Sequence, residues 1–144
     1  MRIAIGSDHR GFELKQDLMK YLENAEFQYN DFGAYSTDSV DYPDIAQAVG
    51  RAVGDGEYEY GILICGTGIG MCIAANKMKK IRAALCSDPF DAERARQHND
   101  ANIVCLSAEK TKKELAWDIV KTFLSTQFEG GRHLQRVKKL HSVE

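Results

Sequence analysis

Cys65 closes the apolar run "YGILIC" (60–65), and Gly66, Thr67, Gly68, Ile69 and Gly70 follow before a small-residue helical pattern begins. Glycines at a strand-to-helix turn let backbone N–H groups approach a ligand closely, and the start of a helix favours negative charge. A thiol set among such amides acquires thiolate character and can act as a nucleophile or a base. The competing reading is a buried cysteine that fills space as a small apolar residue, the commoner fate of a free thiol. The residues alone leave both readings open. The loop suits an oxyanion but carries no nucleotide signature. The third glycine of G-x-G-x-x-G would fall on Met71, and no G-x-x-x-x-G-K-[ST] string exists.

Other polar residues carry the same double reading. Asp8 and His9, in "GSDHRG", could cap the first helix, or contact a substrate hydroxyl and an anion. His98, in "RQHNDAN", could complement a helix dipole, or exchange a proton near neutral pH. Arg132 and Arg136 are four apart, so on a helix they share one face, as a solvated basic stripe or as a phosphate clamp. Tyr42 is either a loop aromatic or a pocket wall. Together, a base candidate at an anion hole, two histidines, an aspartate and paired arginines suit proton transfer next to a carbonyl on a small phosphorylated substrate.

The elements that must position these groups alternate along the chain. Short apolar runs ("RIAIGSD", "FQYNDFG", "YGILIC", "IRAALCSD", "NIVCLS") are separated by amphipathic stretches at helical spacing. The first helical stretch carries Phe12, Leu14, Leu18, Tyr21 and Leu22. "DIAQAVGRAVGDG" places Ile45, Ala48, Val49, Ala52 and Val53 on one side, after a polar loop closed by Pro43. "KTKKELAWDIVKTFLSTQ" turns Leu115, Ile119, Val120 and Phe123 inward. This order implies βαβ units and a mostly parallel five-stranded sheet in an α/β sandwich. Ligands in such sheets sit at the carboxyl ends of the strands. Three ends are suggestive: Ser7-Asp8-His9, Cys65-Gly66-Thr67-Gly68 and Ser87-Asp88. The tail after Gln127 builds little core alone and is expected to pack on the domain or on a second subunit.

The 144 residues fit one domain, spanning 1–144, and a composition of 44% hydrophobic and 28% charged residues is that of an ordinary globular protein. A formal net charge of −2 gives no reason to expect nucleic acid or an anionic membrane as partner. No run approaches the roughly 20 apolar residues of a membrane span, and the N-terminal stretch reads as a strand rather than a secretory signal. Cys65, Cys72, Cys86 and Cys105 lack the two-residue gap of a zinc or redox motif and point to free thiols in a reducing compartment, the cytoplasm. Cys72, Cys86 and Cys105 read as structural.

The strings "IGSDHRGFELK", "DYPDIA", "GILICGTGIGMCIAANK", "HNDAN" and "FEGGRHLQRV", in this order over nearly the whole chain, resemble the type B ribose-5-phosphate isomerases. That group also holds galactose-6-phosphate and allose-6-phosphate isomerases. The resemblance implies a Rossmann-like α/β sandwich, a homodimer or dimer of dimers with shared active sites, and no metal or organic cofactor. It implies interconversion of ribose 5-phosphate and ribulose 5-phosphate through an enediolate. By the same resemblance, Cys65 is the base between C1 and C2 and Thr67 assists transfer between the oxygens. The amides of Gly66, Gly68, Ile69 and Gly70 hold the enediolate oxygen, and His98 opens the furanose ring. Asp8, Tyr42 and Asn99 contact sugar hydroxyls, and His9, Arg132 and Arg136 bind phosphate. His98 and Asn99 act across the dimer interface. Relatives that use a glutamate in the next helix lack this cysteine; "IGMCIAAN" has no carboxylate, so the chain resembles the cysteine type. Glu109 stands where many members carry a phosphate-binding arginine, so either Lys110 takes over or the grip is weaker. Two alternatives accompany the resemblance: a hexose-6-phosphate isomerase on the same scaffold, and a non-catalytic subunit of such an enzyme.

Overall fold

Every apolar run named above becomes a strand and the amphipathic runs become helices in the computed structural model, which describes residues 1–144. The chain runs β1 (Arg2–Ser7), α1 (Phe12–Asn24), β2 (Gln28–Asp31), α2 (Tyr42–Gly54), β3 (Tyr60–Cys65), α3 (Ile69–Asn76), β4 (Ala83–Leu85), α4 (Pro89–Asn99), β5 (Ile103–Ser107), α5 (Lys113–Ser125) and α6 (Arg132–His141). All five strands are parallel, in the order β2-β1-β3-β5-β4. No helix is long and apolar enough to cross a membrane.

The period-two alternation of the strands divides the core into two layers. Ile3, Ile5, Ile62, Ile64, Val104 and Leu106 pack with Leu18 and Leu22 of α1 and Ile119, Val120 and Phe123 of α5. Ala4, Leu63, Cys65, Ile103 and Cys105 face the other way, against Val49 and Val53 of α2 and Met71 and Ala75 of α3. Each fully buried large side chain contributes about 1.5–3 kcal/mol. The β3 alternation therefore points the last residue of that strand, Cys65, into the α2–α3 layer.

Three sequence expectations shift. Helix α2 begins at Tyr42, with Pro43 inside its first turn rather than ending the loop; proline lacks an N–H and its fixed φ suits that position. Ala48 is exposed because it falls on the side of α2 opposite Ala46, Val49 and Val53. Leu115 is 37% exposed, at the flank of the stripe formed by Ala116, Ile119 and Phe123.

The chain leaves β1 towards β2 on one side, and leaves β3 towards β5 and β4 on the other. The carboxyl ends of β1 and β3 are adjacent, with Ser7 in register with Ile64. This is the topological switch point of the sheet, where the flanking loops diverge and open a crevice.

Candidate active site

At that switch point lies a cavity of about 530 Å³ lined by Asp8, His9 and Arg10 after β1, Ser39–Tyr42 before α2, and Cys65, Gly66, Thr67, Ile69, Gly70 and Ile73 of the β3–α3 segment. The sequence-derived candidates Asp8, His9, Tyr42, Cys65, Thr67 and the glycine loop thus meet at one place.

The loop is held by its carbonyls. Ala108 N–H donates to Cys65 O at 2.9 Å, Glu109 N–H to Gly66 O at 3.0 Å, and the Ser107 hydroxyl to Gly66 O at 2.8 Å. The amides of Gly66, Thr67 and Gly70 donate to no group of the chain. The Gly68 N–H points at the Cys65 sulfur at 3.2 Å, and the Ile69 N–H at Thr67 Oγ1 at 3.3 Å. Cys65 is 5% exposed, whereas Thr67 stands in the open. The result is a nearly dry thiol beside free backbone donors, the arrangement that stabilises a developing oxyanion.

The three glycines serve three different purposes. Gly68 sits at φ +76°, and a Cβ there would approach the Leu106 carbonyl carbon to 2.9 Å, so both conformation and space require glycine. At Gly70 a Cβ would strike the Tyr42 ring at 2.6 Å; the missing side chain seats that aromatic over α3. At Gly66 it would meet Glu109 Oε1 at 2.9 Å and Arg10 Cδ at 3.1 Å. Backbone access is therefore only part of why the loop is glycine-rich.

Asp8 does double duty. Its Oδ1 accepts from the Arg10 and Gly11 amides, both at 3.0 Å, which bends the chain into α1, yet the side chain also lines the cavity. His9 is held against Val40, with Nδ1 3.2 Å from the Val40 amide nitrogen and 3.3 Å from its carbonyl oxygen. Arg10 Nη1 lies 3.2 Å from Glu109 Oε1. Lys110 lines a smaller neighbouring cavity with Thr67, Ile69 and Leu85 rather than this one. Ser87-Asp88 has a structural outcome: Asp88 caps α4 by accepting from Asp91 N–H at 2.8 Å, and the Ser87 hydroxyl donates to Asp91.

The chain does not bring His98, Asn99, Arg132 or Arg136 to Cys65. Helix α4 delivers His98 and Asn99 to the amino-terminal edge of the sheet, just before β5 begins at Ile103. Five residues of β5 then separate them from the carboxyl edge, roughly 15 Å at about 3.3 Å per residue. There, the His98 ring stacks on His133, with centroids 4.2 Å apart and planes at 10°. Glu129 Oε1 lies 3.8 Å from His98 Nε2 and 3.5 Å from His133 Nε2. The Glu129 N–H donates to Gln97 O at 3.1 Å, tying the loop before α6 to the end of α4. Burial first, then the neighbouring His98 and Arg132, hold the His133 pKa below its ordinary value. Asp100, at φ +46°, ends α4 and accepts from Arg96 at 2.9 Å and Arg82 at 3.4 Å. Asn99 borders a second cavity of about 450 Å³ with Arg82 and His141. Arg132 and Arg136 are exposed on α6.

Donor atoms of His98, Glu129 and His133 all lie within 4.8 Å of one another, the one group of side chains placed to bind a metal ion. Parallel rings in a stack suit mutual orientation better than convergence on a single ion. Sequence reasoning missed Arg10, Ser39, Val40, Asp41, Glu129 and His133. Arg10 was within reach, since the carboxyl-end rule that flagged Asp8 and His9 covers the next residue too. Glu129 and His133 had no comparable signal, because their partner lies in another helix.

The other cysteines differ from one another. Cys86 is pushed up to about 12, chiefly by burial. Cys105, wholly enclosed in β5, is raised well above the ordinary thiol range, first by the neighbouring Cys72 and then by burial. The neighbouring Cys105 is also the main reason that Cys72 is lowered to about 7; the Cys72 thiol donates to Ala83 O at 3.5 Å and accepts from Asn76 Nδ2 at 3.5 Å. Cys72 is thus a polarised group rather than a plain filler.

Comparison with known proteins identifies the family and the fold. The sequence model of the Ribose/Galactose Isomerase family matches residues 3–140. Ribose-5-phosphate isomerase B of Escherichia coli is 46% identical over 143 residues, covering 99% of this chain and 96% of that protein. Ribose-5-P isomerase B of Listeria innocua is 44% identical, covering 100% and 97%. Among solved structures, ribose-5-phosphate isomerase B of Clostridium thermocellum superposes with a TM-score of 0.98 at 47% identity, over 99% of this chain and 97% of that one. The type B enzyme of Trypanosoma brucei gives 0.96 at 48% identity, over 99% and 98%. The chain belongs to the ribose/galactose isomerase family.

Proposed function

We propose that this protein is an aldose–ketose isomerase that interconverts ribose 5-phosphate and ribulose 5-phosphate. The observation that carries the reading is the Cys65 thiol, nearly dry, beside the unoccupied amides of Gly66, Thr67 and Gly70. The names of the E. coli and C. thermocellum relatives support the choice of substrate. In the open-chain aldose, the Cys65 thiolate takes the proton from C2. The electron pair moves to the C1 carbonyl, and the enediolate oxygen settles among the amides. Returning the proton to C1 gives the ketose, while Thr67 passes a proton between O1 and O2. One preorganised amide donor is worth roughly 3–4 kcal/mol of barrier, and a positioned base about 10²–10⁴-fold in rate.

The reading includes a second copy of the chain. His98, Asn99, Arg132 and Arg136 of one copy would reach the Cys65 cavity of the other, opening the sugar ring and gripping the phosphate. Supporting this, exposed Ile69, Ile73 and Leu85 lie beside the cavity, a surface that a partner would cover. The direct test is the initial isomerisation rate on ribose 5-phosphate for the wild type and Cys65→Ala. Fast turnover lost in the variant supports the reading; pentose turnover that survives the substitution removes Cys65 as base.

A further inference from the structure

The cavity beside Cys65 has one permanently charged cation from its own chain, Arg10, against two carboxylates, Asp8 and Asp41. A phosphate dianion entering it needs that cation. The Arg10 amide is pinned by Asp8 Oδ1 at 3.0 Å, so the side chain leaves from a fixed point. Its guanidinium lies over Gly66, where a Cβ would come within 3.4 Å of Nη1 and 2.9 Å of Glu109 Oε1. Glu109 holds the guanidinium through Nη1 alone, at 3.2 Å. A planar guanidinium has five donors and pairs bidentately with oxyanions, so this single contact leaves it free for a second partner. The pair is open to water, with the side chains 64% and 53% exposed, which makes it readily exchangeable.

We propose that Arg10 is a phosphate ligand supplied by the same chain as Cys65, and that Glu109 is its built-in competitor. Arg10 is parked on Glu109 above Gly66. An incoming phosphate takes the free edge of the guanidinium and loosens the carboxylate, whose charge opposes it. Glu109 therefore weakens affinity while keeping Arg10 in place. The inference rests on the phosphosugar reading above, but its anion site is testable without turnover.

The test uses inorganic phosphate as probe, titrated into ¹⁵N-labelled full-length protein while the Arg10 and Gly66 amides are followed, together with kinetics on ribose 5-phosphate. Arg10→Gln is expected to weaken phosphate binding by about 10-fold or more, with kcat/KM falling chiefly through KM. Glu109→Gln is expected to tighten it by about 2- to 5-fold, and that gain should vanish in the Arg10→Gln background. Unchanged phosphate affinity in Arg10→Gln, with only a shift in melting temperature, overturns the inference and leaves a surface ion pair. A loss confined to kcat, with phosphate binding intact, also overturns it. A wild type that turns over no ribose 5-phosphate, yet binds phosphate through Arg10, upholds the anion site and removes the ribose reading instead.

Discussion

The two edges of the sheet carry two kinds of site. At the carboxyl edge, Cys65 and the loop to Gly70 are neighbours in sequence, and the free donors facing the cavity include backbone amides. At the amino edge, His98 depends on side chains brought from the segment before α6 and from α6 itself, Glu129 and His133. The carbonyls of the first are held by Ser107, at the end of β5, and by the Ala108 and Glu109 amides that follow it. The second is a stack of exchangeable polar groups that meets no cavity containing Cys65. A protein can place a proton-transfer base and its oxyanion hole with one loop, but cannot put both edges of a sheet at one substrate. The pairing of two copies proposed above would resolve this, with each edge set against the opposite edge of the partner.

The sharpest break of that comparison is at Cys65. Cys65→Ala should lower turnover about 10²–10⁴-fold in both directions, because both pass through the same enediolate. His98→Asn should instead be directional. Ribulose 5-phosphate, with its C5 oxygen phosphorylated, has no five-membered ring to open. Initial rates from ribose 5-phosphate should therefore fall far more than those from ribulose 5-phosphate, and equal losses would remove the ring-opening role.

Mixing the two variants tests whether the edges cooperate between chains. If Cys65→Ala and His98→Asn subunits are unfolded and refolded together in equal amounts, half of the dimers are mixed, and each mixed dimer keeps one intact site of two. Activity should recover to about a quarter of wild type. No recovery, with mixed dimers present by native mass spectrometry, would place each site within a single chain.

Smaller effects probe how each edge is held. Gly68→Ala should destabilise the fold by about 1–3 kcal/mol in urea titration, from its positive φ and the Leu106 backbone. Glu129→Gln should leave stability nearly unchanged and lower the rate from ribose 5-phosphate about 10-fold by loosening His98. The rate from ribulose 5-phosphate is the control that should hold.

The smallest effect concerns the cysteines behind the loop. With its pKa near 7, Cys72 should take up iodoacetamide with a midpoint near pH 7, while Cys86 and Cys105 stay unmodified through pH 9 by peptide mass spectrometry. The stability linkage has opposite signs for these groups. Cys72, lowered from 9.0, contributes stability that builds up between pH 7 and 9 and is lost as pH falls through 7. Cys86, raised from 9.0 to about 12, makes the fold less stable as pH rises from 9 towards 12.

The sequence by itself determined the element order, the two-sided burial of β3 and β5, and the glycine loop that borders the cavity. These follow from short-range rules: strand and helix periods, and a cluster of glycines at a strand-to-helix turn. It also singled out Asp8 and His9, because ligands gather at the carboxyl ends of parallel strands, whereas Tyr42 is either a loop aromatic or a pocket wall on the residues alone and takes a role only from the family resemblance. Only the tertiary structure decided that Gly66 makes room for Arg10 and Glu109, which are 99 residues apart, and that Gly70 makes room for Tyr42. Only it placed His98 on the far edge, stacked on His133. The physical reason is one of range. A pattern in one segment records what that segment's backbone must do, whereas an ion pair or a ring stack between segments leaves no period in either.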